Sequence, residues 1–195
     1  KKPEAWLALV KGAGLSVKSK ADSGGSFGHG SKAPLAASRL RSAFYYTEID
    51  INGKTEIRFQ GKSILQSHFN ENEEQTQGTG YFGFKDSSAS PLIDHDVPQW
   101  PQTLRCQNGS GSGTSIFVPF PGLNNEDTEV WKQMKLAVIA NFYYAILKES
   151  LIVRFGSGEE LNHENVEDEL RTILAMIDNG AAPKIDNDSI ASGLE

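Results

Sequence analysis

The 195-residue chain carries 25 acidic and 19 basic residues, a net charge of −6, with 38% hydrophobic and 23% charged positions. This is an ordinary globular composition, long enough for one domain or one domain with an extension, and its acidic balance opposes autonomous nucleic-acid binding, which needs clustered Lys and Arg. A single cysteine, Cys106, excludes an internal disulfide and fits a buried structural thiol in a reducing cytoplasm; no apolar run reaches the roughly 20 residues needed to cross a bilayer, and no signal-peptide pattern opens the chain.

Residues 4–10 (Glu4 to Val10) suggest a short helix, and Lys11 to Lys32 a loop. Within that loop, Gly24-Gly25-Ser26-Phe27-Gly28-His29-Gly30-Ser31-Lys32-Ala33-Pro34 is the most informative run. Glycines accept positive φ, so successive amides can turn toward one anion, and a following helix adds its positive end. Gly25 and Gly30 have P-loop spacing, but Ser31 stands at the lysine position and Lys32 comes one residue late, so that reading fails. A kinase or dinucleotide glycine loop follows a strand, whereas Val17 to Ser23 is polar. On spacing alone, a surface Gly/Ser loop and a phosphate loop both stay open. Lys11, Lys18, Lys20, Lys32, Arg39 and Arg41 gather nearby; Lys11, Lys18 and Lys20 suggest a solvated face.

Pro34 to Arg41 is expected to be a helix, with proline in its first turn. Strands are expected over Ala43 to Ile51 and Lys54 to Phe59, joined by Asn52-Gly53, and a further one over Ser63 to His68. Phe69 to Thr79 is acidic and predicts an exposed loop. In the proline-rich stretch Ser87 to Pro101, Asp94-His95-Asp96 invites a metal or acid–base reading. Neighbours on an extended chain point to opposite sides, however, which favours a surface loop. Trp100 is expected to anchor this stretch on the core. Ile116-Phe117-Val118 ends a strand before Pro119 and Pro121. From Glu126 to Ser150, Trp131, Met134, Val138, Phe142, Ala145 and Ile146 share one face and predict a long amphipathic helix packed on a sheet, capped by Asn124, Asp127 or Thr128. Leu151 to Phe155 then predicts a strand and Val166 to Ile177 a second amphipathic helix. The division is 1–122, lid and sheet, and 123–195, helix, strand and helix.

The run from Gly25 through Ser31-Lys32-Ala33-Pro34 to Arg41 resembles the ATP lid of GHKL (Bergerat-fold) ATPases, the superfamily of gyrase, the ninety-kilodalton heat-shock chaperone, histidine kinases and MutL. It is most similar to MutL-related and MORC-related ATPases of bacterial phage-defence and restriction loci, whose lid leads into an Ala-Pro helix and a Phe-Tyr-Tyr-Thr strand, here Phe44-Tyr45-Tyr46-Thr47. Phe59-Gln60-Gly61-Lys62-Ser63, Gly80-Tyr81-Phe82-Gly83 and Gly111-Ser112-Gly113-Thr114-Ser115-Ile116-Phe117-Val118 agree with it.

The resemblance implies an α+β two-layer sandwich, a mostly antiparallel sheet with helices on one face, forming the later part of an ATP-binding domain. It also implies magnesium-dependent ATP hydrolysis in the cytoplasm. Ser26, Phe27, Gly28, His29 and Gly30 would offer amides to the phosphates, Gly25 and Ser31 would belong to the same nucleotide site, Lys32 would add charge, and Thr114 would lie near adenine. The family's Glu/Asn helix and Asp-x-Gly-x-Gly loop have no counterpart in the sequence, and the first residue is not methionine. The chain is therefore expected to be a piece of a longer protein with little turnover of its own. A homodimer, and DNA met through regions outside this chain, enter only as the family implies; no membrane role is expected. Ser31 at the lid-lysine position motivates the alternative of a non-catalytic pseudo-ATPase or interaction scaffold.

Overall fold

Two left-handed residues organise the main sheet. Asn52 (φ 58°) and Gly53 (φ 79°) supply the pair of positive φ angles that a two-residue hairpin turn needs to match strand twist. The Asp50 carboxylate accepts the Gly53 N–H at 2.8 Å. On either side run β1 (Ser42–Ile51) and β2 (Lys54–Ile64), antiparallel from Ile51↔Lys54 to Ser42↔Ser63. The computed structural model describes residues 5–12, 29–86, 88–105, 112–122, 128–156 and 158–178. They form an α+β protein with a mostly antiparallel sheet and a few helices.

The expected strand end at Phe59 and the separate strand from Ser63 to His68 are replaced by one continuous β2. Gly61 makes the continuity possible. It sits opposite Phe44 and Phe82, and a Cβ there would lie 2.9 Å from atoms of both side chains, so its bareness admits the Phe44 ring. Three further strands complete the sheet: β3 (Thr79–Phe82) and β4 (Leu92–Ile93) on β2, and β5 (Gly113–Phe117) on β1, giving the order β3-β2-β1-β5. Phe69 to Thr79 is mostly exposed up to β3, as expected, with Phe69 and Gln75 bridged across a short turn.

Strand alternation sorts the side chains. On one face Ala43 and Tyr45 are buried under Trp6 and Val10 of α1 (Ala5–Val10) and Leu35 of α2 (Ala33–Ala37). On the other, Tyr46 and Phe59 form a core with Val97, Phe44 and Phe117. There Trp100, the first residue of α3 (Trp100–Leu104), stands edge-on 5.4 Å from the rings of Phe59 and Phe117 and 5.5 Å from Phe44. Its expected role as an anchor holds.

Helix α2 ends at Ala37 rather than continuing to Arg41. Ser38 is extended and its hydroxyl donates to the Pro119 carbonyl at 2.7 Å. The Arg39 N–H donates to Phe120 O, and the Gly122 N–H to Ala37 O. A distant segment claims the backbone groups that another helical turn would have used.

Two compact units divide the chain, Lys1–Gly122 and Leu123–Glu195. In the second, α4 (Thr128–Leu147) is followed by a small hairpin of β6 (Val153–Arg154) and β7 (Glu160–Leu161), then α5 (Val166–Asp178). Its core is Ile139, Ile146, Leu161 and Val166, with Tyr143 and Leu147 beside them. The stripe expected on α4 is met only in part: Val138 and Ile146 join this core, whereas Trp131, Met134 and Phe142 are exposed. Apolar residues occur on more than one side of this helix, and periodicity does not choose among sides. The hairpin and α5 do. Lys135 supports the chosen side, pairing with Glu159 and, at 2.8 Å, Glu169. Burial works against its charge, but these carboxylates outweigh it and hold its pKa above the ordinary lysine range.

Candidate anion-binding site

Of the lid residues, Gly25, Ser26, Phe27 and Gly28 lie outside the described residues, as do Cys106, Asn124 and Asp127. The described part begins with a single 3-10 turn, His29–Ser31, in which Gly30 is exposed. Ser31 is half-buried, whereas Lys32 is exposed at the head of α2, where Pro34 occupies the first turn.

The extended β2 carries Lys62 to the same neighbourhood. Lys62 sits on the face covered by α1 and α2, between Ala43 of β1 and Tyr81 of β3. Burial lowers its pKa, and the nearby Lys32 ammonium lowers it further. Its Nζ lies 5.9 Å from the Tyr81 ring centroid, and the Nζ of Lys11, just beyond α1, lies 5.5 Å from the same centroid. Lys11 also donates to the Ser88 carbonyl. Among the described residues, neither Lys32 nor Lys62 has a carboxylate partner. Like charges gathered on a partly desolvated surface raise the local potential for anions.

Polar atoms on the same side deepen the feature. Gln60 is fully buried two residues before Lys62, with Tyr45 opposite it across the β1–β2 pair. Gln60 Nε2 donates to the Ala89 carbonyl, but Gln60 Oε1, the Tyr45 hydroxyl and Trp6 Nε1 are buried without a hydrogen-bond partner. Burial pushes the Tyr45 pKa up, which keeps its hydroxyl protonated and able to donate. Groups of this kind are expensive to bury unpaired.

Thr114 lies on β5 opposite Thr47, their hydroxyls 2.8 Å apart, and Thr47 Oγ1 also donates to Gly113 O at 3.0 Å. The register puts Thr114 and Lys62 on one sheet face, separated by four residues along the strands and two strand spacings, about 16 Å.

A different polar group tightens the aromatic face. Tyr46 donates to Glu48 at 2.7 Å, and Glu48 pairs with Arg105, whose guanidinium lies 5.6 Å from the Tyr46 ring centroid. These links tie the end of α3 to β1.

Asp94-His95-Asp96 forms a 3-10 turn. Asp94 Oδ1 accepts the Ile57 N–H at 2.9 Å, and the His95 side chain is 91% exposed. The turn caps the edge of β2. Among the described residues no group of three or more His, Cys, Asp or Glu is arranged to hold a metal ion, so the magnesium that the resemblance implies finds no donor set there.

The runs Phe59–Ser63 and Gly80–Gly83, which carry the resemblance, contain Lys62 and Tyr81 but give neither a role in the site, and by sequence Lys11 reads as solvated. The signal that could have found them is parity: Lys62 and Gln60 share a strand face, which matters only once β2 is known to run through Gly61. No described helix is long and apolar enough to cross a membrane. Comparison of the chain with protein-family models, curated proteins and solved structures finds no match.

Proposed function

We propose that this chain is the lid-bearing part of a GHKL-type ATP-binding domain in a longer bacterial protein, one that couples ATP to a conformational change in DNA-related or phage-defence work. The observation that supports the reading is that Lys32, at the head of the helix after the glycine run, and Thr114 belong to one side of the sheet, with positive charge concentrated at the Lys32 end. In this reading the amides of residues 25–30 and the Lys32 ammonium hold phosphate oxygens by charge-assisted hydrogen bonds, and the Thr114 hydroxyl orients the base. Magnesium, when bound, neutralises phosphate charge. Its ligands, and the group that activates water, belong to other parts of the longer protein, as do the surfaces for a homodimer or DNA.

Calorimetric titration of magnesium-ATP into this chain and into an N-terminally extended form tests the reading. Binding by the extended form, weakened in Lys32→Ala, is expected. Binding by neither leaves the pseudo-ATPase or scaffold reading, which the half-buried Ser31 at the lid-lysine position favours.

A further inference from the structure

We infer that Lys62 is the principal phosphate-binding cation of this site, flanked by Lys11 and Lys32 and backed by Tyr81, and that its ligand is an oligophosphate, either a nucleotide's triphosphate or inorganic tripolyphosphate. The inference deepens the nucleotide reading, and rests on it, by naming a residue that the lid motif does not contain. Two observations carry it. First, Lys62 stands on a strand paired on both sides, with Ala43 and Tyr81 as neighbours, so the sheet positions its stem. Second, it is partly buried next to another ammonium, with no carboxylate partner among the described residues. Two ammonium groups in that setting, with the Tyr81 ring beside them, favour an anion.

The lysines also divide the work sensibly. Lys11 already donates to the Ser88 carbonyl and lies near enough to Asp86 to lower that carboxyl's pKa, after the larger effect of hydrogen bonds from Ser90. Lys32 is exposed just before a short helix. Lys62 combines fixed position with partial desolvation, which strengthens a charge-assisted contact.

The test is titration of sodium tripolyphosphate into the chain, for the natural sequence, Lys62→Gln, Lys62→Arg and, as a control at the exposed hairpin turn, Lys54→Gln. Lys62→Gln is expected to weaken binding about tenfold, Lys62→Arg less, and Lys54→Gln not at all. Acylation footprinting of the natural chain gives a second measurement that no misfolded variant can spoil: tripolyphosphate should protect Lys62 and leave Lys54 reactive. Equal affinity for the Lys62→Gln and natural chains, or no protection of Lys62, overturns the inference, as does absence of any binding. ATP in the same footprint separates the sources. Protection at lower ATP than tripolyphosphate concentration assigns the anion to a nucleotide. Protection by tripolyphosphate but not ATP upholds Lys62 and removes the nucleotide reading.

Discussion

The two faces of the β1–β2 hairpin are built from alternate residues of the same strands yet have opposite chemistry. On one, Phe44, Phe59, Phe82, Phe117 and Trp100 pack edge-on or stacked, and the polar group among them, Tyr46-Glu48-Arg105, is internally satisfied. On the other, Tyr45, Gln60 and Trp6 keep unpartnered polar atoms beneath a cluster of lysines. The first face is arranged for stability. The second gives up some stability to polar atoms that burial leaves unpaired, and gathers like charges.

The largest effect should come from Phe59→Ala, which empties the centre of the aromatic face; about 3–5 kcal/mol of stability should be lost in urea unfolding. A smaller loss, about 1–3 kcal/mol, is expected for Glu48→Gln, which leaves Arg105 with a weaker partner. The same substitution should reshape the pH profile. Arg105 hydrogen bonding holds the Glu48 carboxyl below its usual range, so its contribution is complete above the ordinary glutamate pKa of about 4.3 and is lost as pH falls through the lower folded value. Burial, then Glu48, pushes Tyr46 up to about 12, so that contribution is complete below about 10 and is lost as pH rises through the folded value. Unfolding midpoints in Glu48→Gln should show a flatter acid limb.

Adjacent tyrosines give the sharpest form of the comparison. Tyr46→Phe removes a hydrogen bond to a charged acceptor and should cost about 1.5 kcal/mol. Tyr45→Phe removes a buried hydroxyl without a partner and should leave stability unchanged or raise it by less than about 1 kcal/mol. Equal losses at the two positions would erase the distinction between the faces.

Local chemistry made part of this legible in advance. The Asn52-Gly53 turn, the flanking strands, the exposed acidic loop, the Trp100 anchor and the two long helices of residues 123–195 follow from turn residues, alternation and helical spacing, which act over a few neighbours. Four features did not follow. The run of β2 through Gly61 to Ile64 depends on its pairing with β1 and β3; the stop of α2 at Ala37 depends on Pro119 and Phe120, far along the chain; the packed side of α4 depends on Leu161 and Val166; the lysine cluster depends on the register that sets Lys62 beside Tyr81. Of the lid, the glycine run and Lys32 were visible in the sequence, while the residues that surround Lys32 in space came from α1, β2 and β3.

The amino-acid sequence by itself determined the α+β class, the central hairpin and the apolar residues available for a core, because propensity, turn geometry and alternation are properties of adjacent residues. Tertiary structure alone decided which apolar face of α4 was used, where α2 ended and which lysines met. Those outcomes depend on competition among distant partners for the same backbone groups and the same buried surface, and no local pattern records who wins it.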